Sequence, residues 1–282
     1  MRFLALLGIT GVLLASDSSV EQARKLYNLT EFDGSLKILR AMPVKSAEVY
    51  ELIGRNLYME GDFKRASEAF ESALAASPGN STTALWLARA FGRRAETSSP
   101  FTAPGYASKA HTYFERAVQL NERNLEALSD LFEYYMEAPG FLGGGLDKAQ
   151  ALVPKMAEVN EAEAQWAQAK LAEKRKQYSS AEEHLRRAID VAPQQVGRFI
   201  ELARFLTKEG KYQEADESLA RAEKIAPNSP RLMYARADIY IKSGRNLGLA
   251  RDLLKRYLAL PLSPDDPPRS DAVKLLKQAQ GG

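Results

Sequence analysis

The feature that most restricts this chain is a residue spacing that returns every 34 positions. Ala181, Leu185, Ala188 and Pro193 are followed by Ala215, Leu219, Ala222 and Pro227, with identical internal intervals and an offset of 34 residues. Ala66, Phe70, Ala73 and Pro78 repeat the set, and Ala110, Phe114 and Ala117 repeat it with Glu122 in place of the proline. A recurrence of this length predicts a linear array of one supersecondary unit. Steps of four and then three lie on one face of a helix, and the closing proline lacks the amide that a further turn would use. Twelve residues before three of these alanines stands another small residue, Gly54, Ala169 or Ala203. Each unit therefore reads as two antiparallel helices that approach closely at their small residues, with the large apolar residue filling the space between hairpins. Gly61, Gly210 and Gly244 lie where the first helix of a pair ends, the place for a left-handed residue.

This 34-residue unit resembles the tetratricopeptide repeat (TPR), and the resemblance spans nearly all of the chain beyond residue 16. It implies an all-α, right-handed superhelical solenoid of antiparallel helix pairs. A degenerate first unit over 17–46 is carried by Ala23, Leu26, Phe32, Ser35 and Leu39 and ends near Pro43. Units follow over 47–80, 81–124, 125–161, 162–195, 196–229 and 230–264, and 265–282 reads as a linker and a C-terminal capping helix. The 81–124 unit holds ten additional residues between its helices, and the 125–161 unit holds about five in a glycine-rich stretch. Phe132 stands where a small residue is expected, and the unit from Pro230 is one residue longer before Ala250. A lone hairpin exposes apolar faces on both sides, so stability comes from its neighbours.

The N-terminus follows a different logic. Met1-Arg2, an apolar run from Phe3 to Ala15 and a small polar patch from Ser16 to Ser19 have the layout of a signal peptide over 1–16. The run is shorter than the ~20 residues a spanning helix needs, so no stable membrane span is expected after cleavage. Asp17 stands where a lipoprotein signal would require cysteine, which excludes lipidation. An exported protein, periplasmic or extracellular, is the expectation. The absence of cysteine excludes disulfides and thiolate chemistry throughout. A net charge of +3, from 39 basic and 36 acidic residues, provides no single-sign field for nucleic acid.

In TPR proteins the first helices line a concave groove, so the resemblance places particular residues there. They include Arg55 and Tyr58, then Arg89 and Arg93, then Trp166, Lys170, Lys174, Arg204, Lys208, Tyr234 and Lys242. Leu85, Ile200, Asp238 and the acidic row Glu126, Glu133 and Glu137 share this inner face. The far half of the groove is basic, which favours an acidic or carboxylate-terminated peptide, with Tyr234 and Trp166 as apolar anchors, although a one-residue shift in register would bury Trp166 in the wall. The plainer alternative is that these charges solvate an exposed face. The asparagines of the carboxylate clamp found in chaperone-binding TPR proteins are missing from these positions. The two insertions fall at equivalent points of consecutive repeats, so they should lie side by side and present Phe101, Tyr106, Phe141 and Leu142 to a partner. The alternative is that they only mend the break in the repeat.

Catalysis finds few components here. His111 and His184 fall on second helices of different repeats, and no metal-hydrolase or nucleophile motif occurs. Gly143-Gly144-Gly145 lacks the preceding strand and the lysine of a phosphate loop. Asn28-Leu29-Thr30 and Asn80-Ser81-Thr82 fit the glycosylation pattern and matter only in a eukaryotic source. The expectation is a non-enzymatic scaffold without cofactor or metal that binds a protein or peptide, with a structural subunit of an envelope assembly complex or a cell-wall or carbohydrate-binding module as the alternatives.

Overall fold

The computed structural model describes residues 18–281, so the expected signal peptide lies outside the described residues. All regular elements among these residues are helical. The chain divides after Gly145 into two compact units, a boundary that falls inside the stretch the spacing assigns to a single hairpin. The first unit holds α1 (18–28), α2 (Phe32–Ala41), α3 (Ala47–Met59), α4 (Phe63–Ala76), α5 (Ser81–Thr97), α6 (Ala103–Leu120) and α7 (Leu125–Glu137), with a short 3-10 turn over Gly140–Leu142. The second holds α8 (Leu146–Val159), α9 (Glu161–Lys174), α10 (Tyr178–Val191), α11 (Val196–Lys208), α12 (Tyr212–Ile225), α13 (Pro230–Lys242), α14 (Leu247–Ala259) and α15 (Arg269–Gly281). Within the units α3 packs on α4, α5 on α6, α9 on α10, α11 on α12 and α13 on α14, while α15 lies against α14 and α13.

The repeat residues explain this pairing. A Cβ on Gly54 would stand 2.6 Å from the Phe70 ring, so the helices of the α3/α4 hairpin are as close as glycine permits. Ala66, Phe70, Ala73, Ala181, Ala188, Ala215, Leu219 and Ala222 are fully or almost fully buried. The turns between paired helices are closed by Gly61 at φ 81°, Gly210 at φ 74° and Gly244 at φ 66°. In the α9/α10 hairpin the same place is taken by Lys176 at φ 61°. Helix starts are sealed by side chains: Ser46, Asp62, Asn80, Asn124, Asn160 and Ser229 each accept a hydrogen bond from a backbone amide three residues on.

The insertion between α5 and α6 differs from expectation. Most of its residues extend the helices: α5 has 17 residues and α6 has 18, against 13 and 14 in α11 and α12. Pro104 lies in the first turn of α6, where its missing amide breaks no helical hydrogen bond. Only a tight turn over 98–102 remains between the helices.

Candidate functional site

In the second unit a cleft of about 180 Å³ opens over α9, α11 and α13. Ala169, Leu185, Phe205 and Ile239 form its apolar floor, and all four are buried. Its walls carry Lys170, Arg204, Lys208 and Lys242, four of the cations placed in the groove by the repeat register, together with Glu173, Glu201 and Asp238. These charges are paired. Lys208 Nζ lies 2.7 Å from Glu173, Lys242 Nζ 2.9 Å from Asp238, and Glu201 receives both Arg204 at 2.8 Å and Lys170 at 3.5 Å. The carboxylate side chains are 11–25% exposed, whereas the cations are 35–73% exposed. The acids thus sit below and hold their partners, and the cations form the outer layer. Each ammonium has three N–H donors, so a single carboxylate partner leaves others for a ligand.

Other residues of the expected groove lie elsewhere. Trp166, expected as an apolar anchor, is only 7% exposed and belongs to the wall, with Lys170 Nζ 5.8 Å from its ring centre. Ile200 and Leu85 are buried as well. Tyr234 turns towards α14, its ring 5.5 Å from Tyr257, and burial raises its pKa, with Asp271 nearby adding to the effect. Lys174 is exposed at the end of α9 and is not among the residues lining the cleft.

In the first unit the expected groove residues brace the helices against one another. Arg55 on α3 and Arg89 on α5 each place the guanidinium carbon 5.0 Å from the centre of Trp86. Tyr58 meets that indole edge-on at 5.3 Å, and Phe70 stacks on it at 6.1 Å. Arg55 is also held by Glu51 at 2.7 Å, and Arg89 donates to Asp130 at 2.6 Å and Glu126 at 3.1 Å on α7. Arg93 covers the Phe63 ring at 5.0 Å and pairs with Glu96. Burial raises the pKa of Tyr58 although Arg93 and Arg89 oppose it, and burial likewise raises Asp130 against the pull of Arg89. The π surface of Trp86 is engaged by the protein itself, so this unit offers no free aromatic platform at that point. Trp86 lies outside the groove positions that the resemblance assigns to its helix. Its role depends on Arg55 meeting it across helices, which the spacing within one helix does not encode.

The insertions do lie beside one another. Tyr134 Oη is 2.7 Å from the Leu142 carbonyl oxygen and 3.2 Å from that of Ala107, so one hydroxyl joins the glycine-rich turn to α6. His111 stacks on Tyr134 with ring centres 5.1 Å apart, while in the second unit His184 bonds Gln165 at 2.7 Å. Phe101 and Phe141 are 97% and 82% exposed. Tyr106, expected beside them, turns inward, with its ring 6.3 Å from Phe91 and its hydroxyl accepting from Arg94 at 2.7 Å. Leu142 is half-buried. Among the described residues no group of three or more His, Cys, Asp or Glu is placed to hold a metal ion.

Two segments match tetratricopeptide repeat family profiles, over residues 52–95 and 172–239. No curated protein matches this sequence. Among solved structures, a TPR protein from Parabacteroides merdae is similar over 94% of this chain and 98% of its own, with 18% identity and a TM-score of 0.59. A thermophilic TPR protein of Thermus thermophilus matches over 67% of this chain and 98% of its own, with 19% identity and a TM-score of 0.54. A chain of the APC/C hetero-tetramer Cut9-Hcn1 matches over 91% of this chain and 48% of its own, with 17% identity and a TM-score of 0.52. At these identities the likeness is one of fold. No helix among the described residues is long and apolar enough to cross a membrane. The two matched segments are tetratricopeptide repeats, and the helical hairpins of the chain share the fold of tetratricopeptide-repeat proteins, a fold that suggests a scaffold for protein–protein contacts.

Proposed function

We propose that this protein is an exported scaffold that holds an acidic polypeptide segment in the cleft over α9, α11 and α13, with the insertion tips as a second contact surface. The observation that carries the reading is the layering of charge. Lys170, Arg204, Lys208 and Lys242 form the outer level on three successive first helices, and the carboxylates that hold them are sunk beneath. An incoming carboxylate meets positive charge first, and the apolar floor receives an aliphatic side chain between two acidic ones. Contacts of this exposed kind are worth roughly 0.2–1 kcal/mol each, so several must act together. Export rests on the N-terminal layout, a basic start followed by an apolar run.

The binding half is tested by fluorescence anisotropy with a labelled ten-residue peptide of alternating glutamate and leucine. The full chain is expected to bind it and to ignore the lysine-leucine counterpart. Lys208→Glu combined with Lys242→Glu should weaken binding at least tenfold, because both side chains are exposed and reverse the outer layer. Equal affinity for the two peptides, or no loss in the double variant, would remove the cleft from the account. For export, residues 1–30 are fused to a reporter enzyme active only outside the cytoplasm, and an inactive fusion would refute that half.

A further inference from the structure

We infer that the tips of the two insertions form a self-complementary surface through which two copies of this chain associate. The inference rests on the reading of these tips as binding surface and is independent of the cleft in the second unit. Neither 97–108 nor 138–146 contains a charged residue, in a chain of which 27% is charged. The two stretches are neighbours, since Tyr134 Oη contacts the carbonyls of both Ala107 and Leu142. Their most prominent side chains, Phe101 and Phe141, are 97% and 82% exposed.

The tip that carries Phe141 is built to be rigid. The amides of Leu142 and Gly144 donate to Pro139, that of Gly143 to Gly140, and that of Gly145 to Tyr135, all within 2.9–3.2 Å. A Cβ at Gly144 would stand 1.8 Å from the Ala138 carbonyl oxygen, and one at Gly143 would stand 2.5 Å from the His111 ring. This backbone has little freedom left to lose on association, which lowers the entropic cost of binding.

Charge and area select the occupant. A surface of one charge sign repels its own copy, whereas an uncharged apolar one matches itself across a two-fold axis. Each phenylalanine can bury on the order of 150–250 Å². The two rings account for about 300–500 Å² of the ~800 Å² per partner of a standard interface, and Pro100, Pro139 and Leu142 adjoin them in the sequence. A lipid surface fits less well. The two rings offer about as much hydrocarbon as one myristoyl chain, which alone gives only marginal anchoring, and the tips add no cation for an anionic headgroup.

The test is sedimentation equilibrium of the full chain across a concentration series from about 1 to 500 µM, a range suited to an interface at the small end of the size scale. The weight-average mass should rise from 31.2 kDa towards twice that value. The Phe101→Ser/Phe141→Ser variant should stay monomeric with an unchanged circular dichroism melt, since both side chains are exposed, and its affinity for the acidic peptide should also be unchanged. Because the chain lacks cysteine, Gly140→Cys, beside Phe141 and at a position where a Cβ meets open space, introduces a single thiol and keeps both rings. A bifunctional maleimide should join two copies through it and should not do so through Glu71→Cys on α4. Monomers throughout the series, or dimers indifferent to the double substitution, would overturn the inference. A monomeric chain that binds a different protein through Phe101 and Phe141 would retain the tips as a binding surface and reject the second copy. A double variant indistinguishable in both respects would reject both.

Discussion

Lys176 occupies the left-handed region at φ 61°, the place that Gly61, Gly210 and Gly244 take in other hairpins. For a residue with a Cβ this conformation costs roughly 1–2 kcal/mol, part of which glycine returns through its greater freedom in the unfolded chain. The side chain is exposed and the turn is held by the backbone, with the Lys176 amide donating to the Glu173 carbonyl at 3.0 Å. Lys176→Gly is therefore expected to stabilise the protein by about 0.5–1 kcal/mol, read as a higher urea midpoint at unchanged slope. A lower midpoint would mean that lysine contacts outweigh the backbone strain. At this scale the sequence is legible where steric demand singles out a residue type, as at Gly54 against Phe70. It is less legible where neighbouring positions share a helix face. Trp166 stands on one side of α9 with Ala162 and Ala169, and among such small residues the indole sinks into the wall while Lys170 remains at the cleft.

Helix starts show how local signals acquire long-range meaning. Asn160 and Asn124 both cap a helix, accepting from the amides of Glu163 and Ala127. Asn124 does more: its amide nitrogen donates to Ser81 Oγ at 2.8 Å, and Ser81 Oγ donates to the Ala117 carbonyl at 2.8 Å, tying the starts of α7 and α5 to the end of α6. Asn160→Ala should cost about 1 kcal/mol, the usual value of a cap. Asn124→Ala should cost about twice that, because it also removes a partner from the buried Ser81 hydroxyl. Thermal unfolding of the two variants side by side decides the matter, and equal losses would show that the chain through Ser81 contributes nothing. Caps of this kind are visible in the sequence as asparagine or serine ahead of an apolar-periodic run. The lengthened α5 and α6 were less visible. Ser-Ser-Pro-Phe-Thr-Ala-Pro-Gly reads as a loop because proline and glycine usually interrupt helices, yet Pro104 falls in the one turn of a helix that tolerates it. The bracing of α3, α5 and α7 around Trp86 was hidden for a related reason, since cation and ring come from different helices.

A repeat array has ends, and each end exposes a face that an internal hairpin would cover. In the second unit α15 performs that covering. Ala272 and Ala279 are buried, Tyr257 on α14 is fully enclosed with its hydroxyl donating to the Pro267 carbonyl, and Arg269 donates to the carbonyls of Leu258 and Leu260. The proline-rich stop and the amphipathic tail made such a terminal helix legible, because a stack without a polar outer end is insoluble. Which side chains it would seal was not legible, since the tail lies outside the 34-residue register. Burial raises the Tyr257 pKa, with Asp266 nearby acting in the same direction. A chain ending at Leu262 uncovers this phenol and the adjoining apolar face. It should lose roughly 2–4 kcal/mol of stability and show a smaller urea dependence, because less surface is buried at the outset. The phenol offers a second readout tied to this site. Once exposed, Tyr257 should ionise in the ordinary tyrosine range, and Tyr234 should follow as it loses Asp271 with α15, so ultraviolet titration of the truncated chain should show additional tyrosinate near pH 10 before unfolding begins. If stability and titration both match the full chain, α15 covers nothing that matters, and the array must be closed by α13 and α14 themselves.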